Sequence, residues 1–111
     1  MRIALDAMGG DHAPFSNVNG AIEFIRENGS DSLYIDLYGP KDELQKIVID
    51  SGSVSDQISF IDCSEIVPMN ERSVKAFRDK PDSSLVRAVS AIKGGKADAI
   101  VSAGNTGALL T

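Results

Sequence analysis

Residues 82–107 read DSSLVRAVSAIKGGKADAIVSAGNTG. Leu85, Ala88, Val89 and Ile92 recur at i, i+3, i+4 and i+7, the spacing that gathers apolar side chains on one stripe of an α-helix. Asp82 and Ser83 are both good helix starters, because their side-chain oxygens can accept from the orphan N–H groups of a first turn. Gly94-Gly95 ends the helix, since glycine tolerates the left-handed backbone that closes many helices. Ala99-Ile100-Val101 is then a short apolar run, read as a strand. It leads into a glycine-rich turn at 102–107 and a helix expected to begin near Thr106. Helix, strand, tight turn and helix in that order are the unit of a parallel sheet joined by crossover helices.

The chain before residue 82 repeats the alternation. Ile3-Ala4-Leu5 is a first strand ending at Asp6. Val18, Ala21, Ile22 and Ile25 again fall on one helical stripe, closed by Asn28-Gly29. Leu33, Ile35 and Leu37 alternate with Tyr34, Asp36 and Tyr38, a strand whose second face is less apolar. That face places the strand near a sheet edge or beneath a partly open layer. Gly39-Pro40 breaks it. A helix follows with Asp42 and Glu43 in its first turn, Leu44, Ile47 and Val48 on its buried face, and Gly52 at its end. Ile58–Asp62 is a further strand. The connection 64–81 is long enough to be functional or to hide another element. It carries Arg72, Lys75, Arg78 and Lys80, with Val74 and Phe77 able to anchor a helical turn.

Bulk properties narrow the class. A chain of 111 residues with 42% hydrophobic and 24% charged content suits one globular domain. The net charge of −5 argues against a nucleic-acid partner, because phosphate backbones reward a basic surface. Cys63 is the single cysteine, so no intrachain disulfide forms, and it reads as a small buried hydrophobe rather than a nucleophile. No apolar stretch approaches the roughly 20 residues that span a bilayer. Asp6 comes too early for a signal-peptide core, so a cytosolic protein is expected. The run Ala108-Leu109-Leu110-Thr111 carries no helix-ending signal, which suggests the front part of a longer chain. On this reading residues 1–111 are the N-terminal part of a single catalytic domain.

Two turns hold the residues that could do chemistry. In an open α/β sheet, ligands bind where the carboxyl ends of strands lead into helices. The first turn, DAMGGDHAP at 6–14, has Gly9 and Gly10 for close backbone approach. Asp11 and His12 are candidates to orient a ligand or handle a proton, and Asp6 could position either. The second, SAGNTGA at 102–108, offers Ser102, Gly104, Asn105, Thr106 and Gly107. Unpaired N–H groups at a helix start favour an anion there, and the Asn105 amide could stabilise charge developing on an oxygen. A third candidate is 72–84, where basic residues precede Lys80, Ser83 and Ser84 at another helix start. The first turn could equally be a plain chain reversal and 72–84 a solvated charged loop, whereas for the second the anion site is favoured over a plain turn capped by Thr106. Neither a Walker A loop nor a G-x-G-x-x-G fingerprint is present, no nucleophile relay is visible, and clustered metal ligands are absent. No cofactor is expected.

The string RIALDAMGGDHAP, together with VSAGNTGAL around residue 105 and KPDSS at 80–84, resembles the PlsX family. Its members are the phosphate acyltransferases of bacterial phospholipid synthesis. The resemblance implies a three-layer α/β/α fold with a mainly parallel sheet, similar to the isocitrate and isopropylmalate dehydrogenases. It implies acyl transfer from acyl-acyl carrier protein to inorganic phosphate, giving acyl-phosphate. It also implies a cytoplasmic homodimer able to associate peripherally with the membrane. On it, Asp11, His12 and Asn105 are the candidate catalytic residues. Gly9, Gly10, Lys80, Ser83, Ser84, Ser102, Gly104, Thr106 and Gly107 are the candidate substrate contacts. The alternative is a nucleotide- or phosphometabolite-binding α/β module without acyltransferase activity.

Overall fold

The computed structural model describes residues 1–28, 31–52, 56–65 and 79–103. Seven elements follow one another: β1 (Arg2–Asp6), α1 (Phe15–Asn28), β2 (Tyr34–Gly39), α2 (Lys41–Asp50), β3 (Ile58–Asp62), α3 (Ser84–Lys93) and β4 (Ala99–Val101). The strands form one all-parallel sheet in the order β3-β2-β1-β4. The chain thus steps outward from β1 to β2 to β3, then crosses back to lay β4 on the other side of β1.

That reversal sets the layers. Crossovers between parallel strands are right-handed, so helices of steps in one direction share a face and the helix of the reverse step takes the other. Accordingly Val18, Ala21, Ile22 and Ile25 of α1 and Leu44 and Val48 of α2 pack with Leu5, Ile35, Leu37 and Ile58 on one face. Ala88 and Ala91 of α3 pack with Ala4, Tyr38 and Cys63 on the opposite face. Leu5 and Ala4 are strand neighbours and so point to opposite faces, each supplying its own core. The result is the three-layer α/β/α arrangement expected from the sequence.

The apolar stripes read from the sequence are the buried ones: Val18, Ala21, Ile22 and Ile25 in α1, and Leu85, Ala88 and Val89 in α3. Ile47 and Ile92 are only half-buried at the margins of theirs. Ser83 caps α3, its side chain accepting from the Val86 N–H at 3.2 Å, while Gly95 at φ 73° lies just past the helix end. Asp82, the other expected cap, instead accepts from Ser64. Gly29, Val74, Phe77, Arg72, Lys75, Arg78 and the helix expected near Thr106 lie outside the described residues.

The strand with the less apolar face, β2, lies one strand in from β3 at the margin of the described sheet, near the edge as expected, and is hydrogen-bonded to β1 on one side and β3 on the other. On its polar face Asp36 and Tyr38 are buried, while Tyr34 at the strand's start is exposed. Arg2 Nη1 donates to Asp36 Oδ1 at 2.6 Å, and the Arg2 guanidinium also stacks 5.0 Å from the centre of the Tyr34 ring. Ion pairing lets a carboxylate sit beneath a layer that an unpaired one could not enter. Cys63 is 2% exposed, the small buried hydrophobe expected. No helix among the described residues is long and apolar enough to cross a membrane.

Candidate substrate site

The reversal of strand order falls between β1 and β4, so the crevice at their carboxyl ends is a topological switch point. The register pairs Leu5 with Val101, which places Asp6 and Ser102 side by side as the two strands end. The first glycine-rich turn therefore meets Ser102 and Ala103, the described start of the second, although they lie far apart in sequence. The contact is close. A Cβ built on Gly10 would stand 3.1 Å from the Ala103 Cβ, and Gly10 has φ 93°, a backbone that side-chain-bearing residues rarely adopt.

Asp6 sits at the centre of this junction and is 2% exposed. Its Oδ1 accepts from Ser84 Oγ at 2.6 Å and from the Met8 N–H at 3.1 Å, and its Oδ2 accepts from Ser102 Oγ at 3.0 Å. One carboxylate thus fastens the end of β1, the start of α3 and the end of β4. Asp6 does not reach Asp11 or His12, the role considered for it from the sequence, because alternation puts its side chain on the α3 face with Ala4. Asp11 and His12 are exposed in the loop before α1, where the His12 carbonyl accepts from the Ser16 N–H at 3.1 Å.

Asn17 holds that loop. Its Nδ2 donates to the Ala7 carbonyl at 2.9 Å and the Gly9 carbonyl at 2.8 Å. This fixes the peptides flanking Gly9 against α1, and the sequence reading did not single it out. Gly9 is buried and Gly10 half-buried. Ala7 N–H reaches the Tyr38 carbonyl at 3.0 Å, extending the β1–β2 pairing into the turn.

In the described part of the third candidate region, residues 79–84, several donors are engaged. The Ser84 N–H bonds the Glu65 carbonyl at 3.2 Å, and Val86 N–H uses the Ser83 hydroxyl. Ser83 and Ser84 are 0% and 1% exposed, their hydroxyls serving the helix cap and Asp6 respectively. Lys80, half-buried, accepts through its carbonyl from the Ser83 N–H at 3.1 Å. Below it, Asp82 is held well under the usual carboxylate range, at about 2, by hydrogen bonds from the Ser64 hydroxyl and N–H and then from Arg87. Arg87 Nη1 also donates to the Asp62 carbonyl at 3.1 Å, tying α3 to the end of β3. Ser102 is half-buried, with its hydroxyl donating to Asp6. Gly104, Asn105, Thr106 and Gly107 lie outside the described residues. Among the described residues no cluster of histidine, cysteine and carboxylates is arranged to hold a metal.

At this switch point the first glycine-rich turn packs against the end of β4, beside a buried carboxylate that organises two serine hydroxyls. A family model for fatty acid synthesis proteins matches residues 1–111, the whole chain. The chain belongs to that family. The resemblance to the PlsX family drawn from the two glycine-rich motifs therefore holds over its full length. Among its relatives, a phosphate acyltransferase of Dictyoglomus turgidum is 41% identical over 111 residues, covering 100% of this chain and 32% of that protein. Phosphate acyltransferases of Oenococcus oeni and Clostridioides difficile are each 46% identical, covering 97% and 99% of this chain and 30% and 32% of theirs. The chain spans about a third of the length of these relatives.

Proposed function

We propose that this chain forms the phosphate-binding wall of a phosphate acyltransferase, which moves a fatty acyl group from acyl-acyl carrier protein to inorganic phosphate. The observation that carries the reading is the packing of Gly10 against Ala103 at the β1–β4 switch point, in a family whose relatives are named phosphate acyltransferases. The chemistry suits what is there. Inorganic phosphate is itself a nucleophile toward a thioester, so no serine or cysteine relay is required. One of its oxygens bonds the acyl carbon, the carbon–sulfur bond breaks, and the phosphate's hydrogen ends on the carrier thiol. The protein's contribution is to orient phosphate and to meet charge on the thioester oxygen.

In this reading Gly9, Gly10 and Ser102 border the phosphate, and Lys80 supplies a cation beside it. Ser83 and Ser84 hold the wall in place through their buried hydroxyls. Asp11 and His12 stand exposed in the loop before α1 and are proposed to orient substrate or pass a proton, and Gly104, Asn105, Thr106 and Gly107 are proposed contacts from the sequence. The active protein is a cytoplasmic homodimer that meets the membrane peripherally, and residues 1–111 are the first part of its single catalytic domain.

The test is incubation of the full-length protein with acyl-acyl carrier protein and labelled phosphate. Label in an acid-labile acyl product is expected, and no label sinks the reading. Alanine at His12 or Asn105 is expected to lower that rate, and an unchanged rate removes those residues from the mechanism. Sedimentation with and without lipid vesicles checks the dimer and the membrane association.

A further inference from the structure

Tyr38 is 5% exposed, yet its hydroxyl makes no hydrogen bond among the described residues. Buried polar groups are nearly always paired, because an unpaired one gives up its bonds to water without replacement. Burial also pushes the phenol above its ordinary value, so near neutral pH it keeps a hydrogen to donate. Tyr38 stands in the wall of a cavity of about 300 Å³ on the α3 face of the sheet, with Ile61, Arg87, Ser90, Ala91 and Gly94. That volume is near the lower end of the range for small-molecule sites. Lys96 completes a lining in which no described residue is a carboxylate.

Arg87 brings the second polar group. Its Nη1 is occupied, donating to Asp82 Oδ1 at 2.7 Å and to the Asp62 carbonyl at 3.1 Å. Its guanidinium makes no other hydrogen bond among the described residues. The Nε and Nη2 hydrogens therefore remain, and they form the parallel pair that grips two oxygens of a carboxylate or a phosphate. Its charge opposes the effect of burial on the Tyr38 phenol, so the two groups lie close. Every polar side chain of this lining can donate, and Arg87 and Lys96 can only donate. A fitting occupant is rich in acceptors at one end and apolar where it meets Ile61 and Ala91.

We propose that this cavity binds a small organic oxyanion, with its oxygens on the free edge of Arg87 and the Tyr38 hydroxyl and its apolar body on Ile61 and Ala91. The shared chemistry is a pair of acceptor oxygens on a short hydrocarbon, as in an alkyl carboxylate or an alkyl phosphate. This inference goes beyond the acyl-transfer reading and stands without it.

The full-length protein is titrated with butyrate and butyl phosphate, and with butyramide and inorganic phosphate as controls, each followed by amide NMR. Butyrate or butyl phosphate is expected to shift Tyr38, Ser90 and Gly94, and the tighter of the two tells a carboxylate site from a phosphate site. The better probe is expected to bind roughly tenfold more tightly than butyramide, which has the same body without the charge. Tyr38→Phe removes only a hydroxyl that has no partner in the described fold. It is expected to keep the wild-type unfolding midpoint and to lower the affinity for the better probe by roughly tenfold. Ser90→Leu, at an exposed helix position in the wall, is expected to fill the cavity and abolish the shifts. The proposal is overturned if neither anion shifts these amides, if butyramide binds as tightly, or if Tyr38→Phe binds as tightly as the wild type. Inorganic phosphate binding there as tightly as the better probe overturns it too, since the apolar wall would then contribute nothing. None of these outcomes touches the labelled-phosphate assay, which decides the proposed function by itself.

Discussion

Cys63 follows β3 with 2% of its surface exposed, and burial pushes its thiol up to about 11, the nearby Arg87 offsetting only part of this. Its ordinary value is 9.0. The folded value being the higher, the thiol contributes stability that is fully present below pH 9 and is lost as pH rises toward 11. A thiol-exchange reagent at pH 8 is expected to label the native protein far more slowly than the unfolded one, and equal rates would contradict the burial. Asp82 shows the opposite sign. Its carboxylate, ordinarily at 3.8, is lowered to about 2 first by the Ser64 hydroxyl. Stability from it is present above pH 3.8 and lost as pH falls toward 2. Ser64→Ala should flatten that part of the acid-unfolding profile followed by circular dichroism. At Asp6 the sequence already held a clue. An ionisable residue two positions from Ala4 on a short strand must share its buried face, and so requires donors. Which donors answer, Ser84 and Ser102, no local pattern could say, because they lie 78 and 96 residues away.

Among the elements, α3 and β1 are the pair that shape the crevice. They meet through small side chains, Ala88 and Ala91 against Ala4, and this close approach brings the start of α3 within reach of Asp6. Ala88→Leu would force that interface apart. It is expected to cost about 1–3 kcal/mol in denaturant unfolding, and to weaken phosphate binding by displacing Ser84. Leu37, fully buried at the centre of the opposite core, is expected to cost about 2–5 kcal/mol when replaced by alanine, leaving the crevice intact. In the first turn, Gly10→Ala combines a φ of 93° with a contact on Ala103. Its expected cost is about 1–3 kcal/mol, with loss of phosphate binding beyond what the stability change explains. The helices were legible because a period of 3.6 repeated over Val18–Ile25 and Leu85–Ile92 selects one face unambiguously. The less apolar face of β2 was legible as a strand near the edge, but not the partner that lets Asp36 be buried there, Arg2 from the neighbouring strand.

For the whole molecule, the decisive feature is the switch between β1 and β4. A phosphate titration of the full-length protein followed by amide NMR should shift Gly10, Ser102 and Ala103, and leave residues of α2 unmoved. Shifts confined to α2 would place the site elsewhere. Residues 1–111 expressed alone are expected to form no acyl-phosphate where the full-length protein does, since they match only about a third of the relatives' length. The sequence by itself determined the α/β class, the buried stripe of each helix and the identity of the two turns. All of these depend on periodicity and on residues within a turn or two of each other. Tertiary structure alone decided that β4 returns beside β1, that Asp36 of β2 is paired with Arg2, and that Asp6 joins two serines from α3 and the end of β4. The physical reason is that strand order depends on the handedness and direction of each crossover, and a buried carboxylate's partners depend on which strand ends are brought side by side.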